Sequence, residues 1–268
     1  MQQHIIIDHV GSSAELNNGQ SMPMLGLGVY LSRDGREVIN AIKWALEAGY
    51  RSIDTASFYN NESGVGTGVR ESGIDRSEVF VTTKVWNSDQ GYDQTLRAFD
   101  LSMKNLNLDY VDLYLVHWPV NGLYKDTYRA LETIYQEGRA KSIGVSNFLI
   151  HHLDDLLQNC EVVPTVNQIE FHPYLVQQDL LDYCHEHHIL PQAWSPLMQG
   201  HVLKVPEIIA LGEQYGKTPV QIVLPKSSRQ QRIVDNAELF YFEISAEDVA
   251  KLDALDRGQR FGPDPDSF

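Results

Sequence analysis

From Leu25 to Trp194 the chain alternates short runs rich in β-branched and apolar residues with longer stretches of helical periodicity. The repeat is about thirty residues, the length of a strand–helix–strand unit. Strand-like runs fall at Leu25–Tyr30, 51–55, Glu78–Val85, Val111–His117, Ala140–Ser146, Thr165–Glu170 and Leu190–Trp194. Helical patterns separate them: Arg36 up to the stop at Gly49, then Glu62–Glu71, Thr95–Asn107, Thr127–Gly138, His152–Cys160 and Gln177–Glu186. Two more helices are predicted, one from Thr218-Pro219 and one after Ser245, each opened by a hydroxyl cap. Parallel neighbours need a long crossover, which a helix supplies. Seven such strands, with room for an eighth, predict a closed (β/α)₈ barrel rather than an open doubly wound sheet. No linker, repeat or low-complexity tract interrupts residues 1–268, so one domain is expected. Ahead of the first strand, Asn17-Asn18-Gly19 predicts a β-hairpin. Gly64, Gly66 and Gly68 mimic a dinucleotide loop, but they lie within a helical pattern and read as sites of close helix packing.

Charge narrows the partners. A formal net charge of −15 repels phosphates on average and argues against nucleic acid or an anionic membrane. The two cysteines, Cys160 and Cys184, make no disulfide framework. The opening MQQHIIIDHVGSS reads as neither a leader nor a span, so a soluble cytoplasmic protein is expected; for its assembly a monomer is the expectation.

Three successive strands end on ionisable residues: Asp54, Lys84 and His117. An aspartate after an apolar residue is more often a turn cap than a catalytic group. Three such endings change that balance, because the carboxyl ends of barrel strands converge on the working face. Tyr59 follows on the loop after Asp54. A neighbouring ammonium would favour its phenolate, and a carboxylate would hold the ammonium in place. The set suits an acid that protonates a carbonyl oxygen, with His117 bonding the same oxygen. No histidine grouping reads as a metal set; His4, His9, His172 and His201 read as surface or loop residues. No side chain reads as a nucleophile, which points to hydride from a nicotinamide. Ser146, Asn147 and Gln168 are candidate holders of its carboxamide, and Trp194 of its ring.

These residues carry a resemblance. GYRSIDTASFYNNE, VFVTTKVWN, DLYLVHWP, IGVSNF, VNQIEFHP, AWSPLMQG, PKSSRQQRIVDN and GPDPDSF together resemble the aldo-keto reductase superfamily, from about Leu16 to the C-terminus. The small prokaryotic type is the nearest in kind, similar to 2,5-diketo-D-gluconic acid reductases and glyoxal or methylglyoxal reductases. The resemblance implies an NADPH-dependent barrel that reduces aldehydes and ketones to alcohols. It makes Tyr59 the acid, Lys84 with Asp54 the pair that lowers its pKa, and His117 the residue that orients the substrate. Ser195 and Leu197 match a segment covering the pyrophosphate. Lys226, Ser227, Arg232 and Asn236 match the site for the 2′-phosphate and adenine, and this favours NADPH over NADH. Tyr30, Trp86 and Trp118 would line the substrate pocket, with Phe58 either wall or core. The short loop after the fourth strand implies an open pocket for small aldehydes.

The sequence departs from the family where Leu224 meets Pro225. The segment that would carry the eighth strand is missing there. An empty strand slot leaves backbone edges unpaired, so a piece of the protein is expected to be absent from the sequence at that junction. Two other functions fit a barrel: a cofactor-binding regulatory subunit without efficient turnover, and a hydrolase or lyase with a phosphate site.

Overall fold

The computed structural model describes residues 9–223, 233 and 242–268. Strands β1 (Ser13–Glu15) and β2 (Ser21–Pro23) pair antiparallel around the expected Asn17-Asn18-Gly19 turn. Gly19 takes φ 79° there, a conformation that costs glycine little. Strands β3 (Gly26–Gly28), β4 (Ser52–Asp54), β5 (Phe80–Val85), β6 (Val111–Val116), β7 (Ala140–Ser146), β8 (Val166–Glu170) and β9 (Leu190–Trp194) form one parallel sheet in chain order. Their crossovers carry α1 (Arg36–Glu47), α2 (Glu62–Glu71), α3 (Tyr92–Leu106), α4 (Tyr124–Gln136), α5 (Ile150–Leu157) and α6 (Gln178–Glu186). Burial runs through every position of β5, as it must in a strand covered on both faces.

The sheet curls. Gln168 on β8 donates its amide to Asp54 on β4 at 2.8 Å, although three strands lie between them. In a flat sheet at about 4.8 Å per strand they would be about 19 Å apart. The hairpin closes the opposite end: Leu16 and Met22 pack with Phe80, Leu113, Leu115 and Val166 as a floor.

Helices α7 (Pro206–Tyr215), α8 (Pro219–Val223) and α9 (Ala246–Asp253) follow the last described strand. The predicted caps are present: Thr218 Oγ1 accepts from the Gln221 amide, and Ser245 Oγ from the Asp248 amide. Helix α7 is not among the sequence expectations, although Pro206 at its start and Gly216 at its end, in the left-handed region, bracket it. The Leu224–Pro225 junction lies outside the described residues. Among the described residues no helix is long and apolar enough to cross a membrane.

The α2 glycines serve packing, as the sequence suggests. A Cβ on Gly66 would stand 1.7 Å from the Leu106 carbonyl oxygen, and one on Gly64 2.3 Å from Val38. Gly66→Ala should therefore destabilise the fold by about 3 kcal/mol, since the obstacle is backbone. A urea midpoint unchanged from that of the native chain would contradict this. On α3, Phe99 and Leu106 are buried, whereas Leu101 faces outward and is 58% exposed.

Candidate active site

Asp54 ends β4, Lys84 lies one residue from the end of β5, and His117 follows β6 directly. Lys84 is fully buried and donates to Asp54 Oδ1 at 2.6 Å and to the Thr55 carbonyl at 2.8 Å. Burial lowers its pKa, opposed by the Asp54 carboxylate. Asp54's other oxygen receives the Gln168 amide, so the carboxylate is held from both sides of the barrel.

Tyr59 closes the 3₁₀ turn Ser57–Tyr59, which Asn60 ends in the left-handed region. Ser57 Oγ fixes the turn to β5 by donating to the Lys84 carbonyl at 3.0 Å. Thr55 Oγ1 donates to Asn61 Oδ1, and the Asn61 amide donates to the Val29 and Ser32 carbonyls, fixing the loop from below. Lys84 Nζ lies 5.2 Å from the centre of the Tyr59 ring, and the His117 ring centre 5.8 Å away. The four residues converge as the sequence implies, but the direction of the Tyr59 pKa is reversed. Burial raises it well above 10, helped by Asp54 and Tyr30. The Lys84 charge is largely spent on Asp54, so desolvation dominates and the phenol keeps its proton at neutral pH. Burial and the Lys84 charge hold His117 well below 6.5, so the imidazole is neutral. Its buried Nδ1 has no partner among the described residues.

An aromatic wall surrounds this centre. Tyr30 lies 4.9 Å from Tyr59, Trp86 lies edge-on to His117 at 5.1 Å, and Trp118 stands 6.5 Å from His117. Phe58 stacks on Trp86 at 3.8 Å and is 43% exposed, so it is not part of the core. The sequence reading missed Phe268, whose ring lies 4.5 Å from Trp118 and whose carbonyl accepts from the Asn121 amide. No local signal marks it, because its place depends on the chain end returning across the barrel mouth.

The nicotinamide candidates also come together. Ser146 and Gln168 pair across β7 and β8, and Ser146 Oγ donates to the Gln168 carbonyl at 2.9 Å. Asn147 donates to the His117 carbonyl and accepts the Trp194 indole N–H at 2.8 Å. The Gln168 side-chain nitrogen is committed to Asp54 and Gln192, while its oxygen accepts nothing among the described residues. A carboxamide N–H would fit that oxygen. Ser195 sits in the left-handed region and its carbonyl accepts from Met198, so Leu197 lies within a tight turn after β9. Lys226, Ser227, Arg232 and Asn236 lie outside the described residues.

His172 lies in the loop between β8 and α6, within the expectation, but not at the surface: its side chain is wholly buried beside Glu170. Both cysteine thiols are pushed up by burial, Cys184 to about 11, so neither is a ready nucleophile. His151, His152 and Asp266 place their ligand atoms within 4.8 Å of one another. The Leu149 amide donates to His152 Nδ1, however, leaving the ring proton on the Nε2 that faces Asp266. The group therefore straps the chain's last turn to α5.

A parallel barrel with these residues at its strand ends defines a class, and the chain belongs to the aldo/keto reductase family, whose model matches residues 25–206. An uncharacterised oxidoreductase of Bacillus subtilis is 50% identical over 275 residues, covering 97% of this chain and 98% of its own. Glyoxal reductase of the same organism is 49% identical, covering 96% and 97%. The crystal structure of a Bombyx mori aldo-keto reductase in complex with NADP matches with a TM-score of 0.88 at 35% identity, over 95% of each chain.

Proposed function

We propose that this protein reduces small aldehydes and ketones to alcohols with NADPH, and that Tyr59 delivers the proton. The observation that carries this is the buried Lys84–Asp54 pair at 2.6 Å beside a protonated Tyr59 and a neutral His117. When bound, NADPH supplies the hydride to the carbonyl carbon. Ser146, Asn147 and Gln168 would hold its carboxamide, and Trp194 would offer its ring a flat face. Tyr59 Oη gives its proton to the carbonyl oxygen, leaving a phenolate that the Lys84 ammonium stabilises. His117 donates a hydrogen bond to the same oxygen and fixes its direction. Tyr30, Trp86 and Trp118 hold the carbon skeleton, and the Bacillus relative named for glyoxal supports a small, reactive carbonyl. The regulatory reading needs a site without a working acid, and here the acid is complete. Ser195 and Leu197 cover the pyrophosphate in this reading, and Lys226, Ser227, Arg232 and Asn236 take the 2′-phosphate and adenine. We further propose that a segment carrying the closing eighth strand belongs between Leu224 and Pro225.

The test is a spectrophotometric assay with glyoxal and either NADPH or NADH. Loss of reduced nicotinamide, faster with NADPH and matched by alcohol formed, is the expected result. NADPH that binds without being consumed would favour the regulatory barrel. In the same assay Arg232→Ala should weaken NADPH by about 10–100-fold and leave NADH nearly unchanged, because only NADPH carries the 2′-phosphate. Equal weakening of both would remove Arg232 from that role.

A further inference from the structure

Glu170 belongs to none of the roles above, yet its side chain is fully buried. Its Oε1 accepts the Phe261 amide at 2.7 Å and the Gly262 amide at 3.1 Å, and His172 Nε2 lies 3.1 Å away. Its Oε2 lies 3.2 Å from the same Gly262 nitrogen. Burial works to raise its pKa, but the bonds from His172, Phe261 and Gly262 outweigh it, so the group is a carboxylate. A buried carboxylate spent on two backbone amides more than ninety positions along the chain fixes where that backbone runs.

It runs against Trp194. Glu170 and Trp194 are register partners in β8 and β9. A Cβ on Gly262 would stand 2.4 Å from Trp194 Cη2, so the glycine backbone lies directly on the indole. Further along the same edge, the ring is held by its N–H bond to Asn147. The ring is thus held at two points, its N–H and the corner of its six-membered ring. The same turn reaches the segment after β9: the Gln199 amide donates to the Phe261 carbonyl, and His201 stacks on Phe261 at 4.9 Å.

We propose that Glu170 is a positioning residue for cofactor binding, acting through the Phe261–Gly262 backbone to hold the Trp194 ring at the angle the nicotinamide meets. This rests on the NADPH reading above. Gly262→Ala is the sharpest probe, because Gly262 lies outside the left-handed region and the added methyl meets chiefly the indole. Glu170→Gln keeps the shape and removes the charge that draws both amides.

Two readouts separate the clamp from the reading beneath it. In ligand-free protein the Trp194 contribution to fluorescence, taken by difference from Trp194→Phe, should shift in wavelength and in acrylamide quenching for both variants. In cofactor titrations Gly262→Ala should raise the NADPH Kd by about ten-fold, the scale of one lost aromatic stack. The KM for the carbonyl should change far less. Unchanged Trp194 emission and unchanged NADPH Kd in Gly262→Ala would overturn the proposal, whether or not Glu170→Gln folds. A shifted emission in a protein whose wild-type form does not bind NADPH would leave the clamp standing and sink the cofactor reading. A uniform loss of thermal stability with normal Kd and emission would make Glu170 purely structural.

Discussion

Tyr59→Phe should lose about 10²–10⁴-fold in kcat, the span of a general-acid contribution, while NADPH binding stays near that of the wild type. Phenylalanine keeps the ring that packs 4.9 Å from Tyr30 and 5.8 Å from His117, so the cup keeps its shape. Only the hydroxyl goes, and with it the proposed proton donor. Steady-state turnover beside a cofactor titration checks it. A variant that keeps half its turnover would show that the proton comes from elsewhere.

Lys84→Met should fail in two separable ways. The Asp54 carboxylate would remain with the Gln168 amide but without its ammonium, and its side chain is only 14% exposed. Breaking a buried pair from one side costs about 3–5 kcal/mol, and the retained Gln168 bond places the expected loss at the lower end. Catalysis should fall by about 10²-fold or more, because the developing phenolate loses its nearest cation. Adding Asp54→Asn should return much of the stability, measured by urea denaturation, and none of the rate. A double variant that recovered turnover would make the Lys84–Asp54 pair structural only.

The strand-end residues were readable because a parallel sheet with helical crossovers leaves little freedom in where a strand's last residue points. Asp54, Lys84 and His117 stand together for that reason. Residues whose place depends on a long-range return were not readable. His172 is a loop residue, but its burial depends on a tail nearly ninety residues later covering Glu170. Phe268 has no periodicity to betray its tilted contact with Trp118. The direction of the Tyr59 pKa is set first by burial, with Asp54 and Tyr30 adding to it, and depth of burial is not written in the order of the residues.

The pH profile of kcat/KM for the carbonyl, in the native chain and in Tyr59→Phe, tests the proton's origin most directly. A general acid works while protonated, so its contribution is present below its pKa and lost as pH rises through it. Tyr59 lies above the ordinary tyrosine range and His117 below the ordinary histidine range. The native profile should therefore stay flat from about pH 7 to pH 9 and fall only on the alkaline side, and the residual activity of Tyr59→Phe should lack that fall. An alkaline limb that survives unchanged in Tyr59→Phe would contradict Tyr59 as the acid.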